Sequence, residues 1–99
     1  MSAPTPAPSP AAPPAPQAIL DGIAEVARRH LGWRGELAPG MRLVEDLRLD
    51  SLRLLTLAIE VEDRFQVALD EQDEAAIETV GDLVAAVGRK LAAGRTEGR

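Results

Sequence analysis

From Gln17 the apolar positions recur at helical spacing. Ile19, Ile23, Val26, Ala27 and then His30 or Leu31 share one face, and Gly32 stops the run. A second helix is predicted over Ser51 to Phe65, with Asp50 as its N-cap and Glu60, Glu62, Asp63 and Arg64 marking a wet side. Its apolar set is too wide for one face of a helix. Leu54, Leu57, Ala58, Val61 and Phe65 fit a core stripe, which leaves Leu52, Leu55 and Ile59 as a second stripe at helical spacing. Exposed apolar side chains in that register read as a partner-docking strip, unless the neighbouring loop or a tail covers them. Asp70 to Ile77 predicts a short acidic third helix. Thr79-Val80-Gly81-Asp82 is a capping-box-like start to a fourth, whose core face is Val80, Leu83, Val84, Val87 and Leu91 and which Gly94 ends. The predicted fold is all-α: a small four-helix bundle of three main helices and one short third helix, with no internal repeat.

The connection between the first two helices runs from about Gly32 to Asp50, with a turn at Pro39-Gly40. A loop of that length inside a small domain needs a function or its own packing. Trp33, Leu37, Met41, Leu43, Leu47 and Leu49 supply the anchors, so it is expected to lie pinned across the domain with a helical turn around Leu43 to Leu47. Residues 1–16 hold seven of the eight prolines among Ala, Ser and Thr and are expected to be a disordered, partly polyproline-like tail. That leaves a folded domain over 17–93 and a flexible C-terminal tail over 94–99.

Charge narrows the function more than composition does. The net charge of −5 is not spread evenly: residues 1–40 balance, residues 41–82 carry twelve acids against four arginines, and the remainder is basic. An acidic middle repels phosphate backbones, which argues against a nucleic-acid partner and for basic protein surfaces. With 99 residues the core is near the lower limit for independent folding and leaves little room for a deep pocket. There is no cysteine for a disulfide, zinc or redox site, and the single histidine, His30, builds neither a metal site nor a catalytic pair. His30 reads as a capping or partly packed side chain near a helix end. With no signal-like start and no apolar run long enough to span a bilayer, the expectation is a cytoplasmic monomer without catalytic or metal-binding residues, and not an enzyme.

The local run that carries chemistry is Asp46-Leu47-Arg48-Leu49-Asp50-Ser51-Leu52. A serine in the first turn, straight after the cap, presents its hydroxyl at the positive end of the helix dipole, where free N–H groups favour a phosphodiester. Without a base in reach it is no activated nucleophile. Its chemistry must be done to it by another protein.

At these residues the chain resembles the acyl carrier protein family. Asp50-Ser51-Leu52 is similar to the family's modification motif and Leu43-Val44-Glu45-Asp46-Leu47 to the segment before it. Glu62-Asp63-Arg64-Phe65, Leu69 and Ile77-Glu78-Thr79-Val80-Gly81-Asp82-Leu83 also fall where the family has like residues, with no gap between Leu43 and Leu83. The resemblance covers about residues 17–92. It implies a discrete acyl carrier protein. Ser51 would receive 4′-phosphopantetheine from coenzyme A through a separate, magnesium-using phosphopantetheinyl transferase, and the arm's thiol would hold an acyl group as a thioester. Asp50 would aid recognition by the transferase. Leu52, Leu55 and Ile59 would touch partner enzymes, namely an acyl-loading ligase or acyltransferase and a downstream synthase or transferase. Glu60, Glu62 and Asp63 would add an acidic surface. Leu54, Leu57, Ala58, Val61 and Phe65 would line the interior where some relatives shelter an acyl chain.

Three positions depart from the family pattern. Arg48 stands where glycine is common, Arg53 where an acid is common, and Thr56 where glutamate is common. A positive Arg53 beside the attachment point is expected to discriminate against partners that present cations there, which suits a specialised lipid, polyketide or other secondary-metabolite pathway. An aminoacyl or peptidyl carrier with the same tether, or an unmodified helical interaction module, remain the alternatives.

Overall fold

The computed structural model describes residues 15–97, so most of the proline-rich segment and the last two residues lie outside the described part. Four helices follow in order: α1 (Pro16–Leu31), α2 (Ser51–Phe65), α3 (Glu71–Ala75) and α4 (Val80–Glu97). α1 opens one residue earlier than its apolar pattern because Pro16 takes the first helical position, where a fixed φ and a missing N–H cost nothing. Gly32 closes it in the left-handed region at φ 71°. α2 begins and ends where the pattern puts it, with Asp50 Oδ1 accepting from the Arg53 N–H at 2.9 Å. The third helix is shorter than the expected Asp70 to Ile77. Asp70 is its cap, exchanging reciprocal bonds with Asp73 at 2.8 and 3.1 Å, and Ala76 already closes it. Thr79 and Asp82 form the expected box at the start of α4, at 3.0 and 3.1 Å.

Gly94 does not end α4, which continues to Glu97, so the expected flexible tail from residue 94 is helical as far as the described residues reach. A glycine stops a helix by taking positive φ, and among the described residues only Gly32 and Gly35 do so. Inside a helix a glycine costs only about 1 kcal/mol relative to alanine, which continuing hydrogen bonds can carry.

α1 packs against both α2 and α4. Ile19, Ile23, Val26 and Ala27 of α1 meet Leu57 and Val61 of α2 and Val80, Leu83, Ala86 and Val87 of α4 in one apolar core. Of the five residues expected in the α2 core stripe, only Leu57 and Val61 are buried; Leu54, Ala58 and Phe65 are half-buried. On α4, Val84 and Leu91 are half-buried where full burial was expected, and Ala86 fills the core instead. Phe65 lies over Gly22, whose missing side chain lets the ring sit against the α1 backbone. Polar contacts reinforce this face: an ion pair of Arg64 with Glu25 at 2.7 Å and a contact of His30 Nε2 with Glu60 Oε1 at 3.3 Å. The first holds the Glu25 carboxyl below the usual carboxylate range, chiefly through the Arg64 hydrogen bond.

The long loop is pinned as its anchors require. Leu37, Leu43, Leu47 and Leu49 are buried and Trp33 and Met41 half-buried. It is stitched to the α3–α4 junction by an antiparallel bridge between Arg42 and Thr79, with Leu43 N–H donating to Glu78 O at 3.0 Å and Val80 N–H to Met41 O at 2.9 Å. Gly81 N–H adds a bond to Pro39 O at 2.8 Å. The helical turn around Leu43 to Leu47 is present, with Asp46 N–H donating to Arg42 O at 2.9 Å. Among the described residues no helix is long and apolar enough to cross a membrane.

Candidate functional site

Ser51 owes its position to what precedes it. Leu47 and Leu49 are buried, and Leu49 N–H bonds Leu43 O at 3.2 Å, so the chain is held fast two residues before the serine. Between those anchors Arg48 takes the left-handed conformation at φ 60°, a region that glycine enters more readily than arginine. Asp50 is extended, and the helix begins with Ser51 exposed at its mouth. Asp50 occupies the Arg53 N–H through its side chain and the Leu54 N–H through its carbonyl, at 2.9 and 2.8 Å. The N–H groups of Ser51 and Leu52 take no protein partner among the described residues. Two free donors and the positive end of the dipole thus surround the hydroxyl.

His30 is engaged elsewhere. Its partner Glu60 lies nine residues beyond Ser51, about 13 Å along the axis of α2, so His30 offers the serine no base. Among the described residues no cluster of three or more His, Cys, Asp or Glu is placed to hold a metal ion.

The second α2 stripe is open to solvent. Leu52 is 70% exposed, Leu55 54% and Ile59 51%, so neither the loop nor a described tail covers it. Val44, 57% exposed in the turn before Ser51, is a further exposed apolar residue that periodicity within the helix did not reach. Its signal was local: it sits in a helical turn whose Leu43 and Leu47 are the buried members. At 3.6 residues per turn Asp63 falls on the face of Leu52, Leu55 and Ile59, whereas Arg53 and Glu60 fall on the flank turned toward α1. Arg53 is exposed and makes no ion pair among the described residues, and the same is true of Arg48. The three acids expected to form one surface are not equivalent. Glu60 contacts His30, Glu62 Oε2 accepts from the Leu69 N–H at 2.7 Å to hold the α2–α3 connection, and of the three only Asp63 leaves its carboxylate without a partner among the described residues.

Beside the serine lies what so small a core was not expected to hold: a half-open cleft of about 370 Å³. Ser51 stands among its lining residues, with Leu54, Leu55 and Ala58 from α2, Leu69 and Ile77 from either side of α3, and Glu74 from α3 itself. Leu54 packs against the core and also lines the cleft, and Ala58 lines it too, which fits their half-burial. α3 is a short wall with no buried residue of its own, tied to α4 by polar contacts. Lys90 of α4 reaches Asp73 at 3.0 Å and Asp70 at 3.6 Å, and Arg89 reaches Asp73 at 3.6 Å. The Asp70 N–H, followed by Lys90, pulls the Asp73 carboxyl down to about 2, and the same contact raises Lys90.

An exposed hydroxyl at a helix mouth, two free N–H donors and an adjoining apolar cleft fit a phosphate-linked arm whose far end carries an apolar group. A bundle that presents such a hydroxyl beside an apolar cleft suits a carrier. The chain is a member of the acyl carrier protein family: residues 21–87 match the family model described as the phosphopantetheine attachment site. Similar proteins include the meromycolate extension acyl carrier protein of Mycolicibacterium aurum, 37% identical over 70 residues that cover 70% of this chain and 72% of that one. The Mycobacterium tuberculosis protein of the same name is 38% identical over 68 residues, but the match takes in only 59% of its length. The acyl carrier protein of Kineococcus radiotolerans is 33% identical, over 70% of this chain and 86% of that one. A solved structure described as a candidate acyl carrier protein of Mycobacterium tuberculosis superposes with a TM-score of 0.66 at 35% identity, covering 70% of this chain and 93% of the other. Members of this family carry groups and are not enzymes.

Proposed function

We propose that Ser51 is the residue that bears the 4′-phosphopantetheine arm and that the chain carries acyl groups for a specialised lipid pathway. The observation that carries the assignment is the exposed Ser51 hydroxyl at the first position of α2, next to the cleft. When bound, the arm supplies a terminal thiol that holds an acyl group as a thioester. The chain's own residues do the rest. Asp50 fixes the start of α2 by capping it, so the hydroxyl stands in one place for the transferase. The free N–H groups of Ser51 and Leu52 and the dipole of α2 favour the negative phosphodiester. Leu52, Leu55, Ile59 and Val44 offer an apolar surface for a phosphopantetheinyl transferase, a loading ligase or acyltransferase, and a downstream synthase, while Leu54 and Ala58 offer the acyl chain shelter. The mostly apolar lining suits cargo with a hydrocarbon chain.

The specialised pathway is supported by the relatives named for meromycolate extension and by the two free arginines, Arg48 and Arg53, flanking the serine. Cations there disfavour partners that present their own cations at the docking point.

The test is direct. The full chain, incubated with coenzyme A and a broad-specificity transferase, is expected to gain the mass of one phosphopantetheine on the peptide containing Ser51. Ser51→Ala is expected to gain none while keeping its helical circular dichroism, since the exposed hydroxyl contributes little to packing. An arm found on the folded Ser51→Ala protein overturns the assignment.

A further inference from the structure

Charge is unevenly committed around Ser51, and the groups left free there are cations. Asp46 Oδ2 accepts from the Arg42 N–H at 2.7 Å, Asp50 Oδ1 accepts from the Arg53 N–H at 2.9 Å, and Glu45 pairs with the Arg42 guanidinium. The acids nearest the serine in sequence are thus already bonded within the chain. Arg48 and Arg53 are exposed, and neither guanidinium takes a hydrogen bond or ion pair among the described residues. Residues two apart on a helix do not face each other, so Arg53 is not aimed at a phosphodiester on Ser51. Between Arg53 and the apolar strip stands Thr56, uncharged and half-buried, its hydroxyl donating to the Leu52 carbonyl at 3.0 Å. Glu60 shares the flank of Arg53 but lies seven residues on, about 10 Å, and contacts His30. Free carboxylates lie away from this corner: Asp63 is about 18 Å along α2 from Ser51, and Glu74 stands on α3 at the cleft.

We propose that α2 docks a protein partner with an acidic rim, which sets a carboxylate against Arg53 beside an apolar groove that receives Leu52, Leu55 and Ile59. The proposal rests on the reading of Ser51 as the attachment point and names the chemistry of what docks there. A free guanidinium offers a rigid fork of N–H donors that a carboxylate fills with two bonds. A partner cation at the same point meets like charge, and the nearby acids are already engaged. The flanking charges also separate a protein from an anionic lipid surface. A membrane is negative throughout, whereas Asp63 shares the face of the strip and the chain carries a net −5. A protein can place a carboxylate opposite Arg53 and a cation opposite Asp63.

The probe is a phosphopantetheinyl transferase that docks carriers through basic side chains at the rim of its active site, used as it is and with those side chains replaced by glutamate. The readout is kcat/KM for arm transfer to the full chain. The native chain and Arg53→Glu are compared with each form of the enzyme, so any loss intrinsic to the altered enzyme cancels. At low salt the native chain is expected to outperform Arg53→Glu about tenfold with the acidic rim, and Arg53→Glu to outperform the native chain with the basic one, since rim charges act on association. Both differences are expected to fade at about 0.5 M salt, where exposed charges are screened. Arg53→Lys, which keeps the charge without the fork, is expected to retain part of the native behaviour. Gln17→Glu and Arg53→Gln each lower the net charge by one, but Gln17 lies in the first turn of α1, toward the far end of α2 where Gly22 meets Phe65. Only Arg53→Gln is expected to shift the preference; an equal shift in Gln17→Glu assigns the effect to net charge and overturns the proposal. A native-to-Arg53→Glu ratio that is the same for both forms of the enzyme overturns it too, as does sedimentation of the chain with phosphatidylglycerol vesicles that Arg53→Gln abolishes. Peptide mass mapping separates the failures: an arm away from Ser51 overturns the attachment reading and this proposal with it, whereas an arm on Ser51 with no charge preference overturns this proposal alone.

Discussion

Adding one methyl group to α1 tests how tightly that helix closes on the helix that carries Ser51. A Cβ built on Gly22 would lie 2.5 Å from Phe65 Cζ and 3.3 Å from both Cε atoms. Carbon atoms in contact prefer roughly 3.5–4.0 Å, so the ring must retreat by about 1 Å. Overpacking of that kind typically costs about 1–3 kcal/mol, and Phe65, only half-buried, has some room to swing. Against this, replacing a helical glycine with alanine gains about 0.8–1.0 kcal/mol of helix propensity. Gly22→Ala is therefore expected to lie between neutral and destabilising by about 2 kcal/mol. Gly88 in α4 is the control, because its added Cβ meets only Ile19 Cδ1, at an ordinary 3.7 Å. Gly88→Ala is expected to stabilise by nearly the full propensity gain of about 1 kcal/mol. The assay is urea unfolding followed by helical circular dichroism, comparing midpoints at a common slope. Repeating Gly22→Ala in a Phe65→Leu background, where no ring edge approaches α1, is expected to turn the substitution stabilising and so isolate the contact as a coupling energy. If Gly22→Ala stabilises as much as Gly88→Ala in the unsubstituted protein, the argument for close packing fails.

The remaining predictions concern the loop, the docking face and acid. Arg48→Gly is expected to stabilise by up to about 1 kcal/mol in the same assay, the relief of a left-handed non-glycine residue exceeding the added entropy of the unfolded chain; a loss of stability would refute strain at this position. Ile59→Glu is expected to change stability by no more than about 0.5 kcal/mol, as befits an exposed site, yet to lower kcat/KM for the phosphopantetheinyl transferase about tenfold. Unchanged transfer would remove Ile59 from the docking surface. Asp73 titrates near 2 in the folded chain against an ordinary 3.8, so its contribution to holding α3 is complete above about pH 4 and is lost as the pH falls from there toward 2. The difference in melting temperature between the native chain and Asp73→Asn is expected to be largest near neutrality and to shrink across that window; a gap independent of pH would show that the charge is not what matters.

The signals that could be read along the chain were those whose partners lie within a few residues. Asp50 caps Arg53 three positions on, Thr79 and Asp82 satisfy one another across the same interval, and Gly32 ends α1 beside the residues it bonds. Each is a local hydrogen bond that the sequence determines almost alone, and so the four helices, the exposed start of α2 and the Ser51 motif were legible before any fold was considered. Gly94 shows the limit of this reading, because glycine permits a stop without requiring one and the backbone there continues as helix. Tertiary structure decided everything that depends on which surfaces meet. It chose Leu57 and Val61 for the core and turned Leu54 and Ala58 toward a cleft; it gave Glu62 to the Leu69 N–H and Glu60 to His30, and brought Arg64 to Glu25 across 39 residues. Those outcomes depend on packing between segments far apart in the chain. Helical periodicity says which residues share a face, but only the neighbouring helices determine whether that face meets core, cleft or solvent.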